Sequence, residues 1–275
     1  DDDQAIYGWA GADVQRFQEE PAKDIVLPQS YRVPQAVQQI ADQILNRIPD
    51  DRRIKKQWAP RPETGNVDHI TSIEDAPLHQ SDWLILARTN DKLIKLKSVL
   101  RDMPIYFEIK GRKSYKTRLY TAIKNYTRWT KGDKLSLSEC KDLFEYLELD
   151  QELKEERMYD LQEFGYKTTD EWYEVFKSDP EECLYIREML RSGEKLDNPA
   201  RVKLSTIHAA KGGEATNVLI ILDNTKKIRE ALDKSEDKQD EEHRVWYVGV
   251  TRTKQNLYIM TAKQEDRGYD IESIT

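Results

Sequence analysis

The chain has 275 residues, a net charge of −7 and two cysteines, with charged residues at 35% and hydrophobic residues at 38%. That length suits one large domain or two small ones, each able to bury a core. Cys140 and Cys183 lack metal-ligand spacing and read as reduced thiols of a cytoplasmic protein. No run reaches membrane-spanning length and no signal-peptide pattern opens the chain, so disulfide-scaffold, zinc-site and membrane classes are excluded.

In chain order, Asp24–Leu27 is a short apolar run closed by Pro28, the signature of a buried strand. Pro34 then opens a helical spacing of Ala36, Val37, Ile40, Ala41, Ile44, Leu45 and Ile48, which Pro49 ends. Residues 49–66 are polar and rich in Pro and Arg, as in a surface loop. Val67–Ile73 reads as an edge strand. Trp83–Ala87 (WLILA) is continuous apolar sequence, as expected of a strand covered on both faces. Asn90 can cap a helix reaching about Arg101, and Ile105–Ile109 is another strand. From about Ser114 to Ser192 the pattern is helical. Val202–Ser205 and Val218–Leu222 restore the strand signature. The run KSEDKQDEE at 234–242 reads as an exposed, mobile loop. A charged helix ends near Arg252, and Leu257–Thr261 closes as a strand. Strands alternating with helices on both sides of a helical block predict an α/β domain, 1–111 with 198–275, interrupted by an all-α insertion at 112–197.

The global charge hides a local asymmetry. Residues 88–131 carry 13 Lys/Arg against 3 Asp/Glu, a balance of +10, whereas 139–197 carry 8 against 19, a balance of −11. Tyr106, Phe107, Tyr115, Tyr120, Tyr126 and Trp129 are interleaved with the basic stretch. Cations there could track phosphates while aromatic faces stack on bases. The same pattern also fits aromatics in a core beneath a solvated lysine face.

Four blocks carry chemistry: DDDQAIYGWAGADV at 1–14, LPQSYRVP at 27–34, STIHAAKGGEATNVLII at 205–221 and EEHRVWYVGVTRTKQNLYI at 241–259. In this order they resemble motifs III to VI of the C-terminal half of a superfamily-one DNA helicase of the UvrD/Rep/PcrA type. The resemblance implies the second RecA-like motor domain: a parallel sheet flanked by helices, with a small helical accessory insertion. It covers about 1–110 and 200–262. The first residue is not Met, and no G-x-x-x-x-G-K-S/T loop occurs. The expectation is therefore half of an ATP site, with an N-terminal RecA-like domain supplying the Walker lysine and the Mg²⁺ ligands for ATP. This chain alone is expected to be inactive.

The resemblance assigns roles residue by residue. Gln4 would sense the γ-phosphate, which suits an amide that donates and accepts. Trp9 would be a base-stacking platform shaped by Tyr7. Tyr31 would stack on adenine and Arg32 would reach the γ-phosphate with its planar fork. Arg88, in Arg88-Thr89-Asn90, would contact DNA backbone; a helix cap with a neighbouring surface cation is the plainer reading. Thr206, His208 and Lys211 would lie along the DNA edge. Glu214 would hydrogen-bond the ribose, with Gly213 part of a tight backbone beside it. Arg252 would be an arginine finger offered across the interdomain cleft. Arg244 and Tyr247 read as holding their helix, Trp246 as core and Lys254 as a surface charge. The four histidines are too scattered for a local metal site.

Three departures stand against the family pattern. Ala10 replaces an Arg, Gly213 a Leu and Ala215 an aromatic. The implied activity is ATP-driven 3′→5′ translocation on single-stranded DNA with duplex unwinding. The competing reading is a non-motor module that binds nucleic acid or protein. The insertion matches no motif, which leaves duplex contact, a protein partner and autoinhibition open.

Overall fold

In the computed structural model, Asp1–Val99 and Arg201–Thr275 come together as one unit, and Leu100–Ala200 forms a second. The structure describes residues 1–11, 26–149, 156–262 and 268–271, together with Arg16, Glu19 and Leu153. In chain order the strands are β1 (Asn66–Ile70), β2 (Trp83–Ala87), β3 (Phe107–Ile109), β4 (Arg112–Lys113), β5 (Val202–Thr206), β6 (Ala215–Ile221) and β7 (Thr253–Met260). The helices are α1 (Gln35–Leu45), α2 (Asn90–Asp102), α3 (Thr117–Thr130), α4 (Leu137–Leu147), α5 (Trp172–Val175), α6 (Pro180–Arg191), α7 (Lys226–Leu232) and α8 (Glu236–Val250).

The first unit is built on strands in the order β1-β7-β6-β2-β5, every pair parallel. Parallel strands need both faces covered, and the sequence obeys: all five residues of WLILA in β2 are buried. Among the described residues β1 ends the sheet beside β7, so the expected edge strand is present, over Asn66–Ile70. Helix α1 lays Val37, Ile40, Ala41, Ile44 and Leu45 into the core and packs on α8. Pro34 is its extended N-cap rather than its first helical residue. Of the expected strand at 24–27, residues 24 and 25 lie outside the described residues. Val26 and Leu27 are exposed coil. Asn90 is the first residue of α2.

The predicted loop at 234–242 is a correction. Ser235 caps α8 by accepting from the Lys238 amide, and residues 236–242 are the first turns of that helix. The charge run misled because two of its acids point inward with cationic partners. Asp240 pairs with Arg52 Nε at 3.1 Å, and Glu242 with Arg88 Nε at 2.9 Å. At the other end of α8 the packing leaves no room for a side chain at Gly249, where a Cβ would lie 2.7 Å from Ile220 Cδ1. Bringing α8 this close to β6 sets the position of the Thr251-Arg252 turn that follows.

A C-terminal segment is pinned to the same helix. Tyr269 donates its backbone N–H to Leu222, stacks on Trp246 at 5.0 Å and places its hydroxyl 2.7 Å from His243 Nδ1. Burial, then the charges of Arg47 and Arg244, lower the His243 pKa to about 4. The folded value lies below the unfolded one, so the unfolded chain binds the extra proton between about pH 4 and 6.5. Stability from this site is present above pH 6.5 and is lost as pH falls through the folded pKa. Urea unfolding at pH 7 and pH 4.5 should differ by about 2 kcal/mol from this group, discounted for partial exposure. His243→Phe should flatten that slope.

The second unit holds the β3–β4 hairpin and helices α3 to α6. Lys110 and Gly111 turn the hairpin with positive φ of 51° and 72°, as a two-residue turn requires. Ser136 and Glu139 form a capping box at α4, and Asp179 caps α6 ahead of Pro180. The interleaved aromatics are core: Tyr106, Phe107, Tyr115, Tyr120, Tyr126 and Trp129 are all buried. The base-stacking reading of these six is overturned by their burial; Tyr106, Tyr115, Tyr120, Tyr126 and Trp129 pack in one apolar cluster with α4 and α6 side chains. Trp129 also donates its indole N–H to Asp160 at 2.8 Å. Trp129→Phe should therefore cost about 1–2 kcal/mol in thermal unfolding and leave single-stranded DNA affinity unchanged.

Candidate functional site

The parallel sheet sorts the expected residues onto two edges. Arg88 follows β2, and Thr206 ends β5, its register partner to Ala87, so both lie at the carboxyl edge. Glu214 and Arg252 immediately precede Ala215 and Thr253, which pair at the start of β6 and β7, so both lie at the amino edge. The N-terminal segment ties these regions together. Tyr7 donates its hydroxyl to the His208 carbonyl at 2.9 Å, and Lys211 donates to the Gln4 carbonyl at 2.8 Å.

At the amino edge, Arg252 is only 2% exposed. Its Nε donates to the Val248 carbonyl at 2.8 Å, Nη1 to the Gly213 carbonyl at 3.4 Å and Nη2 to the Thr251 hydroxyl at 3.2 Å. Every one of these acceptors is neutral. Among the described residues Arg252 forms no ion pair. Burial, then repulsion from Arg32, lower its pKa to about 10, against attraction from Tyr247 and Glu214. It therefore stays cationic at neutral pH.

Arg32 is half-buried, with Nη1 3.9 Å from Glu214 Oε2 and a buried Nε that has no hydrogen-bond partner among the described residues. Burial lowers its pKa too, opposed by Glu214. Gln4, Arg32, Tyr247 and Thr251 line one small open cleft. Tyr31 beside it projects into solvent, 89% exposed. The structure thus brings Gln4, Arg32, Gly213, Glu214 and Arg252 together. Arg32 lines the cleft, and Arg252 lies buried beside it, bonded to the lining Thr251 hydroxyl; two cations next to one opening favour an anion there.

The carboxyl edge is arranged differently. Arg88 gives its Nε to both oxygens of the buried Glu242, which also accepts from the Trp246 indole at 2.8 Å. Arg88 is thus held by a carboxylate rather than left as a loose surface cation. His208 sits against the Tyr7 ring at 6.1 Å, and burial followed by the Arg88 charge lowers its pKa. The imidazole is neutral at pH 7 and suits hydrogen bonding more than charge pairing. Thr206 turns its hydroxyl onto its own loop, accepting from the Ala209 amide. Lys211 is exposed, its ammonium 5.2 Å from the Tyr7 ring centre. Arg88, His208, Lys238, Glu241, Glu242 and the α7 side chains line a shared cleft. The side chain of Trp9 lies outside the described residues.

Sequence reasoning missed the supports. Lys56 joins Asp1, Asp2 and Asp3, at 3.0 Å to the first and third, and Arg53 lies 3.3 Å from Asp3. The three carboxylates are close enough to hold a metal ion, but the Lys56 ammonium sits among them and supplies the positive charge. No local signal marks Lys56, which comes from the loop at 49–66. Lys254, read as a surface charge, lies 3.1 Å from Glu214. Its proximity in sequence to Arg252 was the available clue.

These geometries meet a finding from comparison. A family model of the UvrD-like helicase C-terminal domain matches residues 113–264, more than half of the chain. The chain belongs to that family, and its α/β sheet is RecA-like. The match takes in the Thr206–Glu214 and Arg244–Arg252 blocks, while Gln4, Arg32 and Arg88 precede it. No curated protein matches the chain. No described helix is long and apolar enough to cross a membrane.

Proposed function

We propose that this chain is the C-terminal motor half of an ATP-dependent helicase that translocates on single-stranded DNA, with the family's 3′→5′ polarity, and unwinds duplex. The observation that carries the reading is Arg32 on the cleft with Arg252 buried next to it, bonded to neutral acceptors and in no ion pair among the described residues. A module that only bound nucleic acid or protein would gain nothing from a desolvated cation beside a second one. A site for a polyphosphate needs both.

The residues present fit ATP. Arg252 and Arg32 would hold the terminal phosphate oxygens, Gln4 would report on them, Glu214 would take the ribose hydroxyls and Tyr31 would cover the adenine. The chain holds no Walker loop, so a further RecA-like domain supplies it, together with the carboxylates for Mg²⁺. ATP contributes phosphoryl-transfer chemistry when bound across the two domains; this chain contributes positive charge, orientation and exclusion of water. Lys211 links the two edges through the Gln4 carbonyl, so a displacement of Gln4 reaches the Tyr7–His208 pair. We assign Thr206, His208, Lys211, Tyr7, Trp9 and Arg88 to the DNA side, and the 112–197 insertion to an accessory domain whose contact is duplex or a protein partner.

DNA-stimulated ATP hydrolysis by the protein carrying both motor domains tests the proposal. Hydrolysis that rises with single-stranded DNA supports it. DNA binding without hydrolysis moves the assignment to a binding module.

A further inference from the structure

Lys254 stands two residues beyond Arg252, at the start of β7. Its Nζ lies 3.1 Å from Glu214 Oε1, while Arg32 Nη1 lies 3.9 Å from Glu214 Oε2. One carboxylate is shared by two cations and sits nearer the lysine. Side-chain exposures of 43% for Lys254, 46% for Glu214 and 28% for Arg32 make this an adjustable arrangement, not a locked one. Arginine and carboxylate prefer a two-point fork with short contacts. Glu214 thus stands between a close ammonium and a guanidinium one small shift away.

Resting on the reading of Arg32 and Arg252 as phosphate ligands, we propose that Lys254 is a positioning residue. It holds the Glu214 carboxylate off Arg32 and so keeps the Arg32 fork open to an anion. Without Lys254, Glu214 swings onto Arg32, neutralises it and leaves Arg252 as the principal cation of the site. When a polyphosphate arrives, Arg32 turns to it and Glu214 stays with Lys254, so the acid does not repel the incoming charge at closest range. Lysine suits the task because its compact ammonium exchanges partners readily.

The test has two readouts on this chain. The first is ¹⁵N NMR of rotation about the Arg32 Nε–Cζ bond, without any ligand. Lys254→Met should slow it, whereas Lys254→Arg and the double variant K254M/E214Q should match wild type. The second is the affinity for inorganic tripolyphosphate. K254M should weaken it by about two- to fivefold, the range an exposed pair can exert. Glu214→Gln should gain more affinity in the K254M background than in wild type, because only there does Glu214 cover Arg32.

Unchanged Arg32 rotation in K254M, or equal E214Q effects in both backgrounds, would overturn the positioning role. Wild-type chain that ignores tripolyphosphate would overturn the phosphate reading of the cleft instead, and the NMR comparison would still decide what Lys254 does to Glu214 and Arg32.

Discussion

Arg252→Ala should reduce DNA-stimulated ATP hydrolysis by the complete motor by about 10³-fold or more, the scale of a removed arginine finger. The size follows from where the charge sits. A guanidinium held in a water-poor cleft stabilises developing phosphate charge far more than one in solvent. The Val248 and Gly213 carbonyls and the Thr251 hydroxyl set its plane, and a phosphate must take over part of these contacts. Arg252→Lys keeps a positive charge but loses the planar fork, so it should fall between the two. DNA affinity without nucleotide should be unaffected in both, since the hydrogen bonds of the Arg252 side chain go to none of the residues assigned to DNA. The alanine variant also leaves those acceptors without their donor, at about 1–2 kcal/mol in thermal unfolding. A variant that stays folded yet loses hydrolysis carries the argument; one that hydrolyses at near wild-type rate removes Arg252 from the site.

Much of this was legible in the residues. WLILA announced a strand covered on both faces, and the spacing through Val37, Ile40 and Ile44 announced α1, because apolar burial imposes a period that sequence retains. The order of the four motif blocks located Arg32, Glu214 and Arg252, which the fold then brings to one edge. In the 234–242 run charge was taken as exposure, yet Asp240 and Glu242 are buried, as are Asp2 and Asp3. A charge enters a fold when a cation from a distant segment meets it, as Arg52, Arg88 and Lys56 do here, and such pairings leave no local period. The aromatics of 106–129 stayed open between stacking and core in the sequence for a different reason. Lysines on the outward face of an amphipathic helix look the same in sequence whether they bind phosphate or only water.

The same logic makes Lys56→Met the largest stability loss we expect, about 3–5 kcal/mol in urea unfolding at neutral pH. The Asp2 and Asp3 side chains are 0% and 3% exposed, and Lys56 joins both while staying 17% exposed itself. Removing the ammonium takes away the cation that Asp2 and Asp3 share, leaving Arg53 on Asp3 and the Ile54 amide, at 3.0 Å, among the partners of Asp2. A methionine fills the volume but cannot offset the charge, which is why breaking one partner costs more than the pair contributes. Asp2→Asn in the K56M background should recover part of the loss, since it removes one of the stranded charges. Asp1 to Asp3 form the turn that presents Gln4, and Asp1 accepts from the Gln4 amide at 2.9 Å. K56M should therefore also lower the DNA stimulation of hydrolysis below the level its residual folded fraction explains. A loss under about 1 kcal/mol would mean that the carboxylates are neutralised by water and Arg53 alone, and would remove Lys56 as the anchor of the Gln4 turn.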